Sequence, residues 1–444
     1  MRKSAPGWWG CWRKDTTLSM LGLREGTHLN DASPATQTVS ALAKGYSRAR
    51  WGVTAILLLA ITTAFFDRIN VAVLFGNREF QEAIGIANPA LMGLLMTAFV
   101  FPYGASVMLF SVSGDVFGPR RTLSAIAAAL AFIMAFMGSV SSYSLMIASR
   151  IAIGVVEGPQ FGTATATVKR WFAPKEQALA TAFWTIGSPL GSMIGFPLVI
   201  FLVAQYGWRA SFFVLAALNA LIVFPIIWFF LRDNPPGGPV SATPAKEASI
   251  SVGEALGILA GNWRYWMLPI FNSGTLIYLW GLNSWLPTYL QQARGFSLTM
   301  TGAYSALTFA AMMVGQLSFA WLADRTGKRA AVCGFAQFMT GVSVYLAAVA
   351  PNADTAALCI ALSAYFWGGA TPPLFALSLQ IIPARITAMG FGLFAGFANL
   401  VGSAAPFIIG VLVSRTGDFQ AGLIFLVLSC MVTSLAMIPL MRKY

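Results

Sequence analysis

Ser113-Gly114-Asp115-Val116-Phe117-Gly118-Pro119-Arg120-Arg121 and Ala323-Asp324-Arg325-Thr326-Gly327-Lys328-Arg329 are two versions of one pattern: an acid, then a glycine, then paired bases. Each lies between two long apolar runs. Asp115 and Asp324 are 209 residues apart, about half of the chain beyond residue 50. A pattern repeated once at that spacing points to two related halves.

Outward from these loops the chain is a series of twelve apolar runs. The first six are roughly 51–74, 89–111, 122–141, 143–165, 177–203 and 210–231. The second six are roughly 265–290, 299–321, 330–350, 355–378, 386–412 and 419–441. Each has about 20 residues or more, enough to cross about 30 Å of hydrocarbon as a helix. A polar, Pro/Gly-rich stretch, Arg232 to Asn262, separates the two sets. The expected fold is an all-α membrane protein with twelve transmembrane helices in two pseudo-symmetric six-helix bundles. The expected organisation is a disordered cytoplasmic tail (1–50), an N-terminal bundle (51–231), a central cytoplasmic loop (232–262) and a C-terminal bundle (263–444).

Composition agrees with that class. Of 444 residues, 57% are apolar and 10% charged, against about 25% charged in soluble proteins. A soluble enzyme is excluded. With 34 Phe and 14 Trp, disorder is excluded except locally. The net charge of +13 would suit nucleic acid, but the bases sit in short loops between apolar runs, as orientation by the positive-inside rule requires. Arg120, Arg121, Lys169, Arg170, Lys175, Arg232, Lys246, Arg325, Lys328, Arg329 and Arg385 share the side of the tail; Arg78, Arg209, Arg294 and Arg415 share the other. Both termini are therefore expected in the cytoplasm, in a multi-pass protein of a bacterial inner (plasma) membrane. Its partners are the lipid bilayer and a small solute, with no nucleic acid, and a monomer is the expected state.

Cofactor and metal chemistry have no support. Cys11, Cys333, Cys359 and Cys430 lack metal-ligand spacing, and the only histidine, His28, lies in the tail. No Ser/His/Asp set and no phosphate-cradling Gly loop with Lys is available, so the protein is not expected to be an enzyme. A receptor would need an output module, and neither the tail nor the central stretch resembles a folded domain.

Sorting the fifteen acids by position isolates the candidate site. Asp15, Glu25 and Asp31 are in the tail; Glu79, Glu82, Asp354 and Asp418 are in loops of one side. Asp115, Glu176, Asp233, Glu247, Glu254 and Asp324 are on the other side. Only Asp67 and Glu157 remain at membrane depth, and the same sorting of bases leaves Arg68 and Arg150. An unpaired charge at the bilayer centre costs about 2.5–3.5 kcal/mol on insertion scales. Arg68 lies about 25 Å along the first run, and Arg150 about 10 Å down the fourth, which runs the opposite way. The two arginines thus share a depth. Arg150 and Glu157 lie seven residues apart, two turns along one face. Two guanidinium forks facing one cavity suit a carboxylate, and a carboxylic acid beside them can couple a proton to the arriving anion. The alternative is structural: an interfacial Asp67–Arg68 pair and an interhelical pair made by Arg150 and Glu157.

The two loop motifs resemble the cytoplasmic motif of the major facilitator superfamily, over residues 51–444. Val116 replaces the usual Arg and Ser111 the usual Gly of the first copy; Ala320 replaces the Gly of the second. Asp115, Arg120, Arg121, Asp324, Arg325 and Arg329 would then form a cytoplasmic gate, with acids and bases pairing across helix ends. The alternative is that these bases serve orientation only. Within that superfamily the chain resembles the anion:cation symporters, which include sugar-acid and phthalate permeases. The resemblance is carried by Phe66-Asp67-Arg68-Ile69-Asn70, by Arg150-Ile151-Ala152-Ile153-Gly154-Val155-Val156-Glu157-Gly158-Pro159, by Trp171-Phe172-Ala173-Pro174-Lys175-Glu176 and by Gly207-Trp208-Arg209. Gln177 departs from it, standing where an Arg is usual.

The resemblance implies a secondary active transporter that imports an organic anion, such as a sugar acid or aromatic acid, by proton symport with alternating access. It implies anion binding at Arg68 and Arg150, and protonation at Asp67 and Glu157. Tyr103 matches a family Tyr near the substrate. Asn399 and Ser378 are further substrate-binding candidates, equally readable as interhelical hydrogen-bonding groups. Tyr278, Trp280, Asn283 and Trp285 could line the cavity from the second half or simply pack. Gly187, Gly191 and Gly195, spaced by four and accompanied by Pro189 and Pro197, form a close-packing stretch. It also resembles a drug:proton antiporter signature and favours the alternative, an exporter or exchanger driven by proton antiport.

Overall fold

Apolar runs punctuated by Gly and Pro fold as helices here because, in hydrocarbon, only a helix satisfies its own backbone. The computed structural model describes residues 34–110, 113–173, 176–235, 252–383 and 386–444. Among them every regular element is helical. The chain divides into two compact units, Met1–Trp51 and Gly52–Tyr444. Most of the expected tail, residues 236–251 of the expected central loop, Ser111, Lys175 and Arg385 lie outside the described residues.

The first six long helices are α1 (Pro34–Leu74), α2 (Pro89–Phe110), α3 (Pro119–Ser139), α4 (Tyr143–Glu157 and Pro159–Trp171), α5 (Gln177–Thr185 and Gly187–Tyr206) and α6 (Trp208–Leu218, continued to Phe224–Phe230). The second six are α7 (Trp263–Thr288), α8 (Leu298–Thr326), α9 (Arg329–Val349), α10 (Ala353–Ile381), α11 (Thr387–Gly402 and Ala405–Thr416) and α12 (Gln420–Ser434). Helix α1 starts at Pro34, within the stretch expected as tail; its membrane-length apolar part is Ala49–Leu74. A short helix, Val252–Ala260, falls within the expected central loop, and its Leu259 buries beside Tyr265 and Leu268 of α7.

Among the described residues, ten helices are long and apolar enough to cross a membrane. The other two long elements are α4 and α7. Helix α4 is broken at Gly158 into 15- and 13-residue pieces, and α7 buries Asn272, Ser273, Thr275, Asn283 and Ser284. They are the helices that give up hydropathy to place polar groups inside.

The two halves are pseudo-symmetric, and a shift of 210 residues relates contacts between them. It carries the Arg68–Glu157 contact of α1 and α4 onto the Tyr278–Trp367 ring stack of α7 and α10. Charge in one half stands where aromatic surface stands in the other. The halves meet where α2 packs on α11 and α5 on α8. A Cβ at Gly93 would run into the Pro406 carbonyl, so glycine is what lets α2 approach α11. The Thr97 hydroxyl donates to the Ser403 carbonyl at 2.7 Å, and Phe196 stacks on Phe309 at 5.4 Å.

Candidate substrate and proton site

Helix α4 carries two of the four buried charges, and its position against α2 depends on missing atoms. A Cβ at Gly154 would strike the Phe99 carbonyl, and one at Gly158 would strike Ser106. Pro159 has no N–H to give to the Val155 carbonyl four residues back, so the helix breaks there. The Ser106 hydroxyl of α2 supplies the missing donor, at 2.6 Å from that carbonyl. The break is thereby satisfied and α4 is pinned to α2. On the other flank, Gly187, Gly191 and Gly195 of α5 sit against Leu58, Thr62 and Phe66 of α1. The glycine stretch is used to pack α5 onto α1 just before Asp67.

The four charges converge. Asp67, Arg68, Arg150 and Glu157 are 1%, 3%, 0% and 0% exposed. Arg68 Nε donates to Glu157 Oε2 at 2.5 Å. Neither pair of the structural alternative forms: Glu157 is bound by Arg68, and Asp67 accepts instead from Asn219 Nδ2 of α6 at 2.9 Å. Arg150 donates through Nε to the Leu95 carbonyl and through Nη2 to Met96 Sδ, each at 3.3 Å. Its Nη1 has no hydrogen-bond partner among the described residues, and the same holds for Arg68 Nη2, Glu157 Oε1 and Asp67 Oδ1. Each charged group therefore keeps one polar atom for something else.

Aromatic rings enclose the cations. The Arg68 guanidinium lies 4.5 Å from the Phe65 ring centre, 4.6 Å from Tyr103, 5.5 Å from Phe99 and 5.9 Å from Phe161. The Arg150 guanidinium lies 4.7 Å from the same Phe99 ring. Phe99 thus stands beside both guanidiniums, and cation–π attraction offsets part of their desolvation. From the other half, Trp280 meets Phe99 and Tyr103 edge-on, at 5.8 and 6.2 Å. Asn399 joins through Trp280, whose Nε1 donates to Asn399 Oδ1 at 3.2 Å.

Other candidates sit apart. Ser378 donates to the Phe375 carbonyl within its own helix at 2.7 Å, next to Leu377 and Ile381 of the C-terminal core. No described contact links it to the charges. Tyr278 bonds to Ser363, and Trp285 donates to the Pro406 carbonyl while packing on Phe75 and Phe419. Asn283 is buried, and its Oδ1 has no partner.

The first motif copy is wired differently from the pairing read along the motif, while the second pairs as read. Asp115 pairs with Arg170 at the end of α4, at 3.2 Å, rather than with Arg120 or Arg121. Arg120 donates its backbone N–H to Asp233 at 2.8 Å and lays its guanidinium 4.6 Å from the Trp228 ring; Arg121 is exposed. Asp324 pairs with Arg329 at 3.5 Å, and Arg325 lies over Trp321 of its own helix. Each of these contacts stays within one half of the molecule.

Two buried amides near the charges escaped the sequence reading, Asn219 and Gln160. Gln160 lies one turn beyond Glu157 and donates to the Ala60 carbonyl at 3.0 Å, leaving Oε1 unpartnered. Applying to amides the elimination used for charges would have found both.

Known proteins agree with this architecture. The chain is 28% identical over 390 residues to the probable sulfoacetate transporter SauU of Cupriavidus necator, covering 84% of this chain and 89% of that one. It is 24% identical over 428 residues to the D-galactonate transporter of Escherichia coli, covering 88% and 96%. Its fold matches the crystal structure of a bacterial homologue of the human lysosomal transporter Spinster, with a TM-score of 0.75 at 17% identity, over 89% of this chain and 97% of that one. The sequence profile of the Major Facilitator Superfamily matches residues 57–406. With twelve long helices among its described residues and two related halves, the chain is a multi-pass membrane transporter, not an enzyme, and it belongs to the Major Facilitator Superfamily.

Proposed function

We propose that this transporter imports a small organic acid together with protons, by alternating access around the α1–α4 charge cluster. The observation that carries the reading is Arg150: a fully buried guanidinium with, among the described residues, no carboxylate within ion-pair distance and an unpartnered Nη1. Arg68 already holds Glu157. A carboxylate or sulfonate arriving between them gives Arg150 the direct acid contact it lacks, and each guanidinium has an edge left to meet it. Asp67 and Glu157 are the proton carriers. Binding the anion changes the electrostatic balance at both, which links the two ligands.

The relatives support the anionic class, since one is named for sulfoacetate and the other for D-galactonate. Two buried arginines repel a cationic drug. The glycine stretch that favoured export is accounted for by packing of α5 on α1. The excess of Lys and Arg on the motif side supports an orientation with that side, and both termini, at the cytoplasmic face of a bacterial inner membrane.

The test is thermal stabilisation of the purified protein by a panel of sugar acids, sulfonates, aromatic acids and dicarboxylates, at acidic and neutral pH. An acid at 100 times its dissociation constant adds about 2.7 kcal/mol. The reading expects a hit among the acids that weakens at higher pH. Stabilisation by neutral or cationic compounds alone would overturn it.

A further inference from the structure

Helix α6 is not regular. Between Trp208–Leu218 and Phe224–Phe230 it opens into one wide turn, Asn219–Val223, in which the Phe224 N–H donates to the Asn219 carbonyl five residues back. The local cause is Pro225, which has no N–H for the Leu221 carbonyl and whose ring crowds it. Such wide turns are uncommon and concentrate at functional sites. This one begins at the residue that touches Asp67.

Asn219 is 1% exposed. Its Nδ2 makes two bonds, to the Leu215 carbonyl at 3.1 Å and to Asp67 Oδ2 at 2.9 Å. That settles the orientation of the amide. A flipped side chain would set Oδ1 against the Leu215 carbonyl, oxygen against oxygen, so only the donor end faces Asp67. Helix α6 is tied to α1 a second time on the same side, where Ser211 donates to Asn70 Oδ1 at 2.8 Å. Asn219 is therefore presented by a fixed helix.

The remaining charged groups facing Asp67 are its neighbour Arg68 on α1 and both Arg150 and Glu157 on α4. None of them makes a hydrogen bond to it; among the described residues Asn219 alone does. Oδ2 is held by that N–H, and Oδ1 has no partner. We propose that Asn219 is a positioning residue for the coupling proton: it fixes Asp67 Oδ2, leaves Oδ1 as the oxygen that takes the proton, and so makes α6 part of the proton site. This rests on the reading of Asp67 as a proton carrier. The Asn219 bond survives protonation, because a neutral acid still accepts through its carbonyl oxygen, but it is stronger to the carboxylate.

Infrared difference spectroscopy of the full-length protein between neutral and acidic pH tests this without any substrate. It reads the carbonyl stretch of protonated carboxylic acids. In wild type, Asp67→Asn should remove one component of that signal. Asn219→Leu keeps the volume and removes the donor. It should raise the pH midpoint of the same component by roughly one unit, the loss of one hydrogen bond to a charged group, and shift its frequency as Oδ2 loses its partner. Should the Leu variant fail to fold, Asn219→Ala, which also lacks a side-chain donor, gives the same readout. A purely structural Asn219 lowers thermal stability while leaving midpoint and frequency in place, and that result overturns the proposal alone. If Asp67→Asn removes no component, Asp67 does not titrate, and both the proton-carrier reading and this proposal fall.

Discussion

Glu157 receives the Arg68 Nε–H across helices at 2.5 Å, while Arg150, two turns away on the same helix as Glu157, makes no ion pair. The asymmetry decides how the two arginines differ. Arg68 is a compensated charge ringed by aromatic side chains. Arg150 has no direct ion pair among the described residues and is held by a backbone carbonyl and a thioether, with Asp67 and Glu157 close enough to act on it through space. A buried pair that loses one member leaves a stranded charge, at about 3–5 kcal/mol. The two sites should therefore respond to substitution in different ways.

Replacing Arg150 should remove anion binding without unfolding the protein, because no ion pair is broken. Arg150→Lys keeps the charge and loses the fork. A charge-assisted hydrogen bond contributes about 1.5–3 kcal/mol, so the variant should bind the best acid of the panel at least about tenfold more weakly. Arg150→Ala should bind none. Ligand-induced thermal shifts read this directly, and wild-type affinity in the lysine variant would take Arg150 out of the site.

Removing Ser106 tests the architecture rather than the chemistry. The Val155 carbonyl has lost its helical donor to Pro159, and the Ser106 hydroxyl replaces it. Ser106→Ala should leave that carbonyl unsatisfied and lower stability by about 1–3 kcal/mol. Unfolding in detergent measures it. A variant as stable as wild type would mean that the broken turn of α4 finds another donor.

The gate contacts should be weak individually. Asp115 and Asp324 are largely exposed, and exposed pairs contribute about 0.2–1 kcal/mol. A double-mutant cycle of Asp115→Asn and Arg170→Gln should give a coupling in that range. The cycles of Asp115→Asn with Arg120→Gln and with Arg121→Gln should give none. Coupling to Arg120 or Arg121 instead would restore the pairing read from the motif alone.

The buried charge cluster was legible in the sequence and its wiring was not. Asp67, Arg68, Arg150 and Glu157 stood out because a charge at membrane depth is costly and must be justified. The partner of Glu157 could not be read, because spacing along a helix fixes a face but not which neighbour meets it; that depends on Gly154 and Gly158 letting α4 approach α2. Asn219 stands out once amides as well as charges are sorted by depth, but its partner Asp67 could not be read, because they lie 152 residues apart on different helices. Ser378 misled for a different reason: a hydroxyl in an apolar run usually bonds its own helix, as this one does. The gate bases were recognisable as a group, but Arg170, the actual partner of Asp115, lies 55 residues away.

Glu157→Gln separates binding from coupling. A glutamine carbonyl can still accept the Arg68 Nε–H that Glu157 Oε2 accepts now, so Arg68 keeps its position and the helices keep their contact. What is lost is a group that can take up and release a proton. Exchange of labelled for unlabelled anion across a vesicle membrane needs only binding and the conformational cycle, and it should survive. Accumulation driven by a pH gradient needs the proton to travel with the anion, and it should fall to the equilibrium level. Both are measured in the same reconstituted vesicles, so a poorly folded variant is recognised by loss of both. If gradient-driven accumulation persists in Glu157→Gln and disappears in Asp67→Asn, the coupling proton rides on Asp67 alone. Glu157 would then serve as the counter-charge that keeps Arg68 poised for the anion.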